Sequence, residues 1–127
     1  MGNLKSPIQN RVHTIFIHVS NLERSVEWYC NLLGQDHDLS TVKRPVYNLQ
    51  VNSQVGITLD AGPDDTSKHL GGLDHPLFNF HTDDIDEAYD YIKQLNYDID
   101  SEIIRFEDLS FFTVRDPDQN VIMICTG

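Results

Sequence analysis

IFIHVSNLERSVEWYCNLLG, residues 15–34, reads as a short strand that turns directly into a capped helix. Ile15, Ile17 and Val19 fall on one strand face and Thr14, Phe16 and His18 on the other, because side chains alternate along an extended chain. Ser20 to Glu23 has the S-x-x-E form of a capping box, which satisfies N–H groups that a helix start leaves orphaned. Leu22, Val26, Tyr29, Cys30 and Leu33 then recur at helical spacing. Gly34 suits the left-handed residue that closes a helix. Residues 77–96, LFNFHTDDIDEAYDYIKQLN, repeat the strand and the helix about 62 positions later.

In the second copy Phe78 and Phe80 share one face, and His75, Leu77 and Asn79 the other. Asp84 to Glu87 is another capping signal, and Ile85, Ala88, Ile92 and Leu95 form the helical stripe. The acidic run Asp83, Asp84, Asp86 and Glu87 is explained by capping, solvation and the helix dipole. After each helix there is room for three short strands. These fall at roughly 38–43, 46–52 and 55–60 in the first half and roughly 101–106, 109–115 and 120–126 in the second. Asp116-Pro117-Asp118-Gln119-Asn120 is turn chemistry between the last two.

The expected fold is therefore α+β: two βαβββ modules in tandem, forming a curled mixed sheet around a central cleft. Residues 1–127 make one domain. Module one spans about 12–60, a Gly-, Pro- and Asp-rich linker 61–74, and module two about 75–126. A ferredoxin-like βαββαβ domain is the rival, but it leaves part of 35–59 without a role.

A hydrophobic content of 39% and a charged content of 23% are ordinary for a soluble globule. No apolar run is long enough to span a bilayer, so no membrane partner is expected. The first residues carry no apolar signal segment. Cys30 and Cys125 fit buried, reduced thiols, which favours a cytoplasmic location. The net charge of −11 repels phosphate backbones, which argues against nucleic acid and would favour a cationic ligand. No Ser-His-Asp order, phosphate-binding glycine loop or CxxC pair occurs.

HVSNLERSVEWYCNLLG (18–34), HPLFNFHTDDIDEAYDYI (75–92) and FFTVRDPDQNVIMI (111–124) together resemble the vicinal oxygen chelate superfamily. That group includes glyoxalase I, extradiol dioxygenases, fosfomycin-resistance enzymes and bleomycin-resistance proteins. The resemblance runs from about residue 12 to 126, with Gln119 where the family's DPDGN turn has glycine. It implies paired βαβββ modules, a homodimer, and in many members a divalent metal in the cleft. Carried over position by position, the metal ligands fall on Thr14, Thr58, His75 and Met123. The family usually has His at the position of Thr14 and Glu at that of Met123, and glyoxalase I has Glu at that of Thr58. One histidine, two threonines and a thioether make a poor set for zinc or for harder ions. No cofactor is expected, and His75 is the one candidate ligand should a metal bind.

Phe16, His18, Tyr47, His75, Asn79, Phe111, Thr113 and Met123 are the candidate lining of the cleft. The aromatics would stack on a flat or cationic ligand, or else pack in the core. Asn79 and Thr113 would add polar contacts. His18 lies four residues from Thr14, roughly 13 Å by strand rise, so it reads as a polar cleft contact or as a satisfied histidine. His75 reads as a hydrogen-bonding group or weak base. No catalytic residue is assigned. The leading expectation is a metal-free small-molecule binder, similar to the bleomycin-resistance type, for a cationic or aromatic compound. The alternatives are a metal-dependent lyase, isomerase or dioxygenase with a non-standard ligand set, and an interaction module with a filled cleft.

Overall fold

The computed structural model describes residues 4–51, 54–63 and 74–127. Strand β1 (Thr14–His18) leads into helix α1 (Leu22–Leu32), then β2 (Val46–Leu49) and β3 (Gly56–Asp60). Strand β4 (Asn79–His81) leads into helix α2 (Ile85–Gln94), then β5 (Asp98–Ile99), β6 (Ile104–Arg105), β7 (Ser110–Arg115) and β8 (Val121–Cys125). The fold is α+β with two sheets that are not closed into a barrel. One sheet has the order β1-β3-β2, the other β4-β8-β7-β5, with β6 also paired to β7. In each sheet the first and last strands of the module run parallel.

The repeat is thus real, with two departures. The strand expected at 38–43 is a single 3-10 turn, Leu39–Thr41. Its cause is local: the Asp38 carboxylate accepts from the Ser40 N–H at 3.0 Å and the Ser40 hydroxyl at 2.6 Å, and such side-chain bonds compete with a strand ladder. The strand expected at 101–106 is shortened to β6, with β5 standing before that range and Ser101 between them: its hydroxyl accepts from the Thr113 N–H at 3.0 Å.

Helix α1 is capped one residue later than the capping box implies. Asn21 is the N-cap, and its side chain accepts from the Arg24 N–H at 3.0 Å. Ser20 is drawn elsewhere: its N–H and hydroxyl both donate to the Asp118 carboxylate, at 3.0 and 2.5 Å. Asp84 caps α2 as expected, accepting from the Glu87 N–H at 3.0 Å. Gly34 sits at φ +67°, and the Gly34 and Gln35 N–H groups donate to the Asn31 and Cys30 carbonyls. That is a Schellman closure, and it needs the left-handed residue.

The core lies between the helices and one face of each sheet. Val19, Val26, Tyr29, Cys30, Leu59, Phe112, Val114 and Ile122 are among its fully buried members. The modules are joined by a buried polar staple. Asp116, 1% exposed, accepts from the Tyr29 hydroxyl at 2.6 Å, from the Asp118 and Asn120 N–H groups at 2.8 and 2.9 Å, and from the Asn120 amide at 2.8 Å. The Asn120 amide also donates to the His18 carbonyl at 3.2 Å. The residues 116–120 are therefore more than a hairpin turn: they fasten the end of β1 and the middle of α1 to module two. A stacked Trp28–Tyr97 pair, with centroids 4.6 Å apart and 12° between planes, extends the same contact. Both cysteines are buried and free. Among the described residues no helix is long and apolar enough to cross a membrane.

Candidate functional site: the strand faces turned from the helices

Alternation sends Ile17, Leu59, Phe112, Val114, Ile122 and Ile124 into the core, so their neighbours line the opposite faces. In module one, register partners Phe16 and Thr58 continue to Asn48, whose side-chain oxygen accepts from the Thr58 hydroxyl at 2.6 Å. In module two the matching row is Asn79, Met123 and Thr113. Phe16 is 55% exposed and Asn79 is exposed, while Met123 is half-buried. Thr113 is buried, and its hydroxyl donates to Asp100 at 3.3 Å. Asp100 in turn pairs with Arg115 at 3.1 Å, which adds a fixed ion pair beside the row. Phe111, two residues from Thr113, is half-buried and stacks on Phe106 with centroids 6.1 Å apart. His18 is exposed on the same side of β1 as Phe16.

Two of the expected lining residues lie elsewhere. Tyr47 pairs in register with the fully buried Leu59 and packs against the core, so it faces the helices. Burial pushes its hydroxyl above the ordinary tyrosine value, and it contacts the Cys30 thiol. Asn48, not Tyr47, is the β2 residue on the outer face. His75 lies four residues before β4 and is exposed. Pro76 follows it, and the strand begins only at Asn79.

The placement of β4 changes the ligand positions. The N-caps Asn21 and Asp84 are 63 positions apart, and so are the strand ends His18 and His81. That offset carries Thr14 onto Leu77, which is 69% exposed, and carries Val12 onto His75. The four positions that resemblance assigns to metal ligands are therefore Thr14, Thr58, Leu77 and Met123. None offers an imidazole, carboxylate or thiolate, so the set does not fit zinc, manganese, iron or magnesium. Among the described residues no three His, Cys, Asp or Glu side chains are grouped to hold an ion.

His81, the counterpart of His18, is held by Asp83 at 2.8 Å. This bond, together with the Gly127 backbone, raises the imidazole above its ordinary value. His81 also borders a cavity of about 680 Å³ that opens between β4 and the start of β1. Its apolar walls include Val12, Ile15, Leu33, Ile57, Phe78 and Phe80, and its polar ones Gln35, Gln50 and Asn79. Of the expected site residues only Asn79 reaches it. Ile15 and Phe80, on the core-facing side of their strands, read in sequence as packing residues.

The Glyoxalase/Bleomycin resistance protein/Dioxygenase superfamily matches the sequence over residues 11–124. The chain belongs to this superfamily. Solved structures share the fold across nearly the whole chain. A lactoylglutathione lyase from Agrobacterium tumefaciens is 15% identical, with 93% of this chain and 94% of that one covered and a TM-score of 0.68. A superfamily member from Sphaerobacter thermophilus is 21% identical, with 92% and 97% covered and a TM-score of 0.67. Another, from Alicyclobacillus acidocaldarius, is 18% identical, with 91% and 90% covered and a TM-score of 0.64. At these identities the likeness is one of fold. No curated protein matches the sequence.

Proposed function

We propose that this superfamily member binds a small cationic or aromatic compound on the outer strand faces without using the superfamily's metal. The observation that carries the reading is the donor set at the four ligand positions: Thr14, Thr58, Leu77 and Met123 retain no group that would hold a divalent ion. The chemistry such an ion supplies, polarising an oxygen or activating water, has no evident substitute there. What the faces keep is an exposed ring, Phe16, beside Thr58 and Asn48 on one sheet, and Asn79, Thr113 and Met123 on the other. An aromatic platform with a few convergent polar groups suits a flat or cationic ligand, and the net charge of −11 draws cations.

The same exposed apolar groups, Phe16 and Val46, suit burial by a second copy, so we propose a homodimer that closes over the ligand. The two free, buried cysteines favour a reducing, cytoplasmic setting.

A thermal-shift and calorimetric screen of cationic and aromatic compounds tests the binding claim. A ligand at 100 times its dissociation constant stabilises by about 2.7 kcal/mol, and Phe16→Ala should abolish that gain. Silence across charged, aromatic and thiol ligands would favour an interaction module instead.

A further inference from the structure

The cavity between β4 and the start of β1 takes only Asn79 from the two rows of outer-face residues. We propose that it is a second ligand site, selective for an apolar amine: an alkyl or aryl body carrying an ammonium group. At about 680 Å³ it lies within the size range of small-molecule pockets. Its floor is Ile15, Ile57 and Phe80, which supplies the apolar seat.

The selectivity follows from what remains unbonded at its polar wall. The Gln35 amide donates to the Gln50 carbonyl, and the Asn79 amide to the Gly127 carbonyl at 3.1 Å. Among the described residues neither the Gln35 nor the Asn79 side-chain carbonyl accepts a hydrogen bond, and Gln35 is half-buried and Asn79 exposed, so the wall offers two accessible acceptors to a ligand's donor. An adjoining groove of about 500 Å³ shares Leu33, Phe80 and His81 with the cavity. It is lined by Asp83, Asp84 and Glu87; among the described residues no lysine or arginine lines either space, and the one basic group at their shared edge, His81, is held by Asp83. A cation is therefore favoured at that end and a carboxylate repelled. The site does not depend on the outer-face reading, because it lies on the other side of β1 from Phe16.

The test uses n-octylammonium chloride, with octanoate as the probe of equal length and opposite charge. The intact protein should bind octylammonium saturably by calorimetry, and octanoate at least tenfold more weakly. Val12→Trp, at an exposed position on the cavity mouth, and Gln35→Leu, which removes one acceptor, should each weaken octylammonium at least tenfold. Phe16→Ala should leave its affinity within twofold. Equal binding of octanoate, no saturable binding of octylammonium, or binding that survives Val12→Trp would each overturn the proposal. Loss on Phe16→Ala alone would move the amine to the outer faces and remove this site.

Discussion

Tyr29→Phe isolates the polar staple between the modules. The substitution keeps the ring in the core and removes only the hydroxyl, which donates to the buried Asp116 carboxylate at 2.6 Å. A hydrogen bond to a charged acceptor contributes about 1.5–3 kcal/mol, at the upper end when the acceptor cannot turn to water. Asp116 is 1% exposed and its other bonds are already committed, so no water replaces the lost donor readily. With a urea slope of about 1.5 kcal/mol per molar for a domain of this size, the midpoint should fall by about 1–2 M. Trp28 reports the transition by fluorescence, because its ring lies 4.7 Å from that of Tyr29 and stacks on Tyr97. Asp116→Ala should cost more, since it also leaves two N–H groups and the Asn120 amide without their acceptor, each worth about 1–3 kcal/mol when buried. A Tyr29→Phe midpoint within about 0.3 M of the parent would refute the staple as a major contributor.

Gln119 occupies the left-handed region at φ 67°, which costs a side-chain-bearing residue about 1 kcal/mol, and its bonds there use backbone atoms. Gln119→Gly should therefore stabilise by roughly 0.5–1 kcal/mol in the same urea assay. Asn21→Ala should cost about 1 kcal/mol through the lost cap of α1; a larger loss from Ser20→Ala than from Asn21→Ala would instead point to the Asp118 contact as the dominant one. Burial pushes Tyr97 up to about 12, aided by the charge of Tyr91, and raises Tyr29 and Tyr47 too. Raised tyrosines hold their stabilising contribution below the unfolded value near 10 and lose it as pH climbs toward 12, so alkaline unfolding should be steep across that window. Absorbance at alkaline pH should show these phenols titrating late, and ordinary titration of all five tyrosines would contradict their burial.

Both helices were legible because their signals are local: an apolar stripe at helical spacing, a cap before it and, for α1, a glycine after it. The duplication was legible for the same reason. What the sequence hid was set by partners far along the chain. Ser20 reads as the cap, but Asp118, 98 residues away, takes its hydroxyl and leaves capping to Asn21. The turn at 116–120 reads as a turn, while its bond to Tyr29 spans 87 positions. Tyr47 was misplaced because a strand's inward face follows from register, and only the pairing of Tyr47 with Leu59 fixes it. His75 reads as a strand opener in the sequence, but strand ends and cap positions repeat at an offset of 63, which sets Leu77 opposite Thr14. The cavity was not legible at all, since Ile15 and Phe80 obey the core pattern and only the gap between two unpaired strand edges exposes them.

The central claim is that this chain keeps the superfamily's frame without the superfamily's metal. Elemental analysis of protein purified without chelators tests it most directly. The donor set Thr14, Thr58, Leu77 and Met123 predicts zinc, nickel, manganese and iron far below one per chain. Stoichiometric retention of any of them, lost on substituting a residue of these faces, would contradict it.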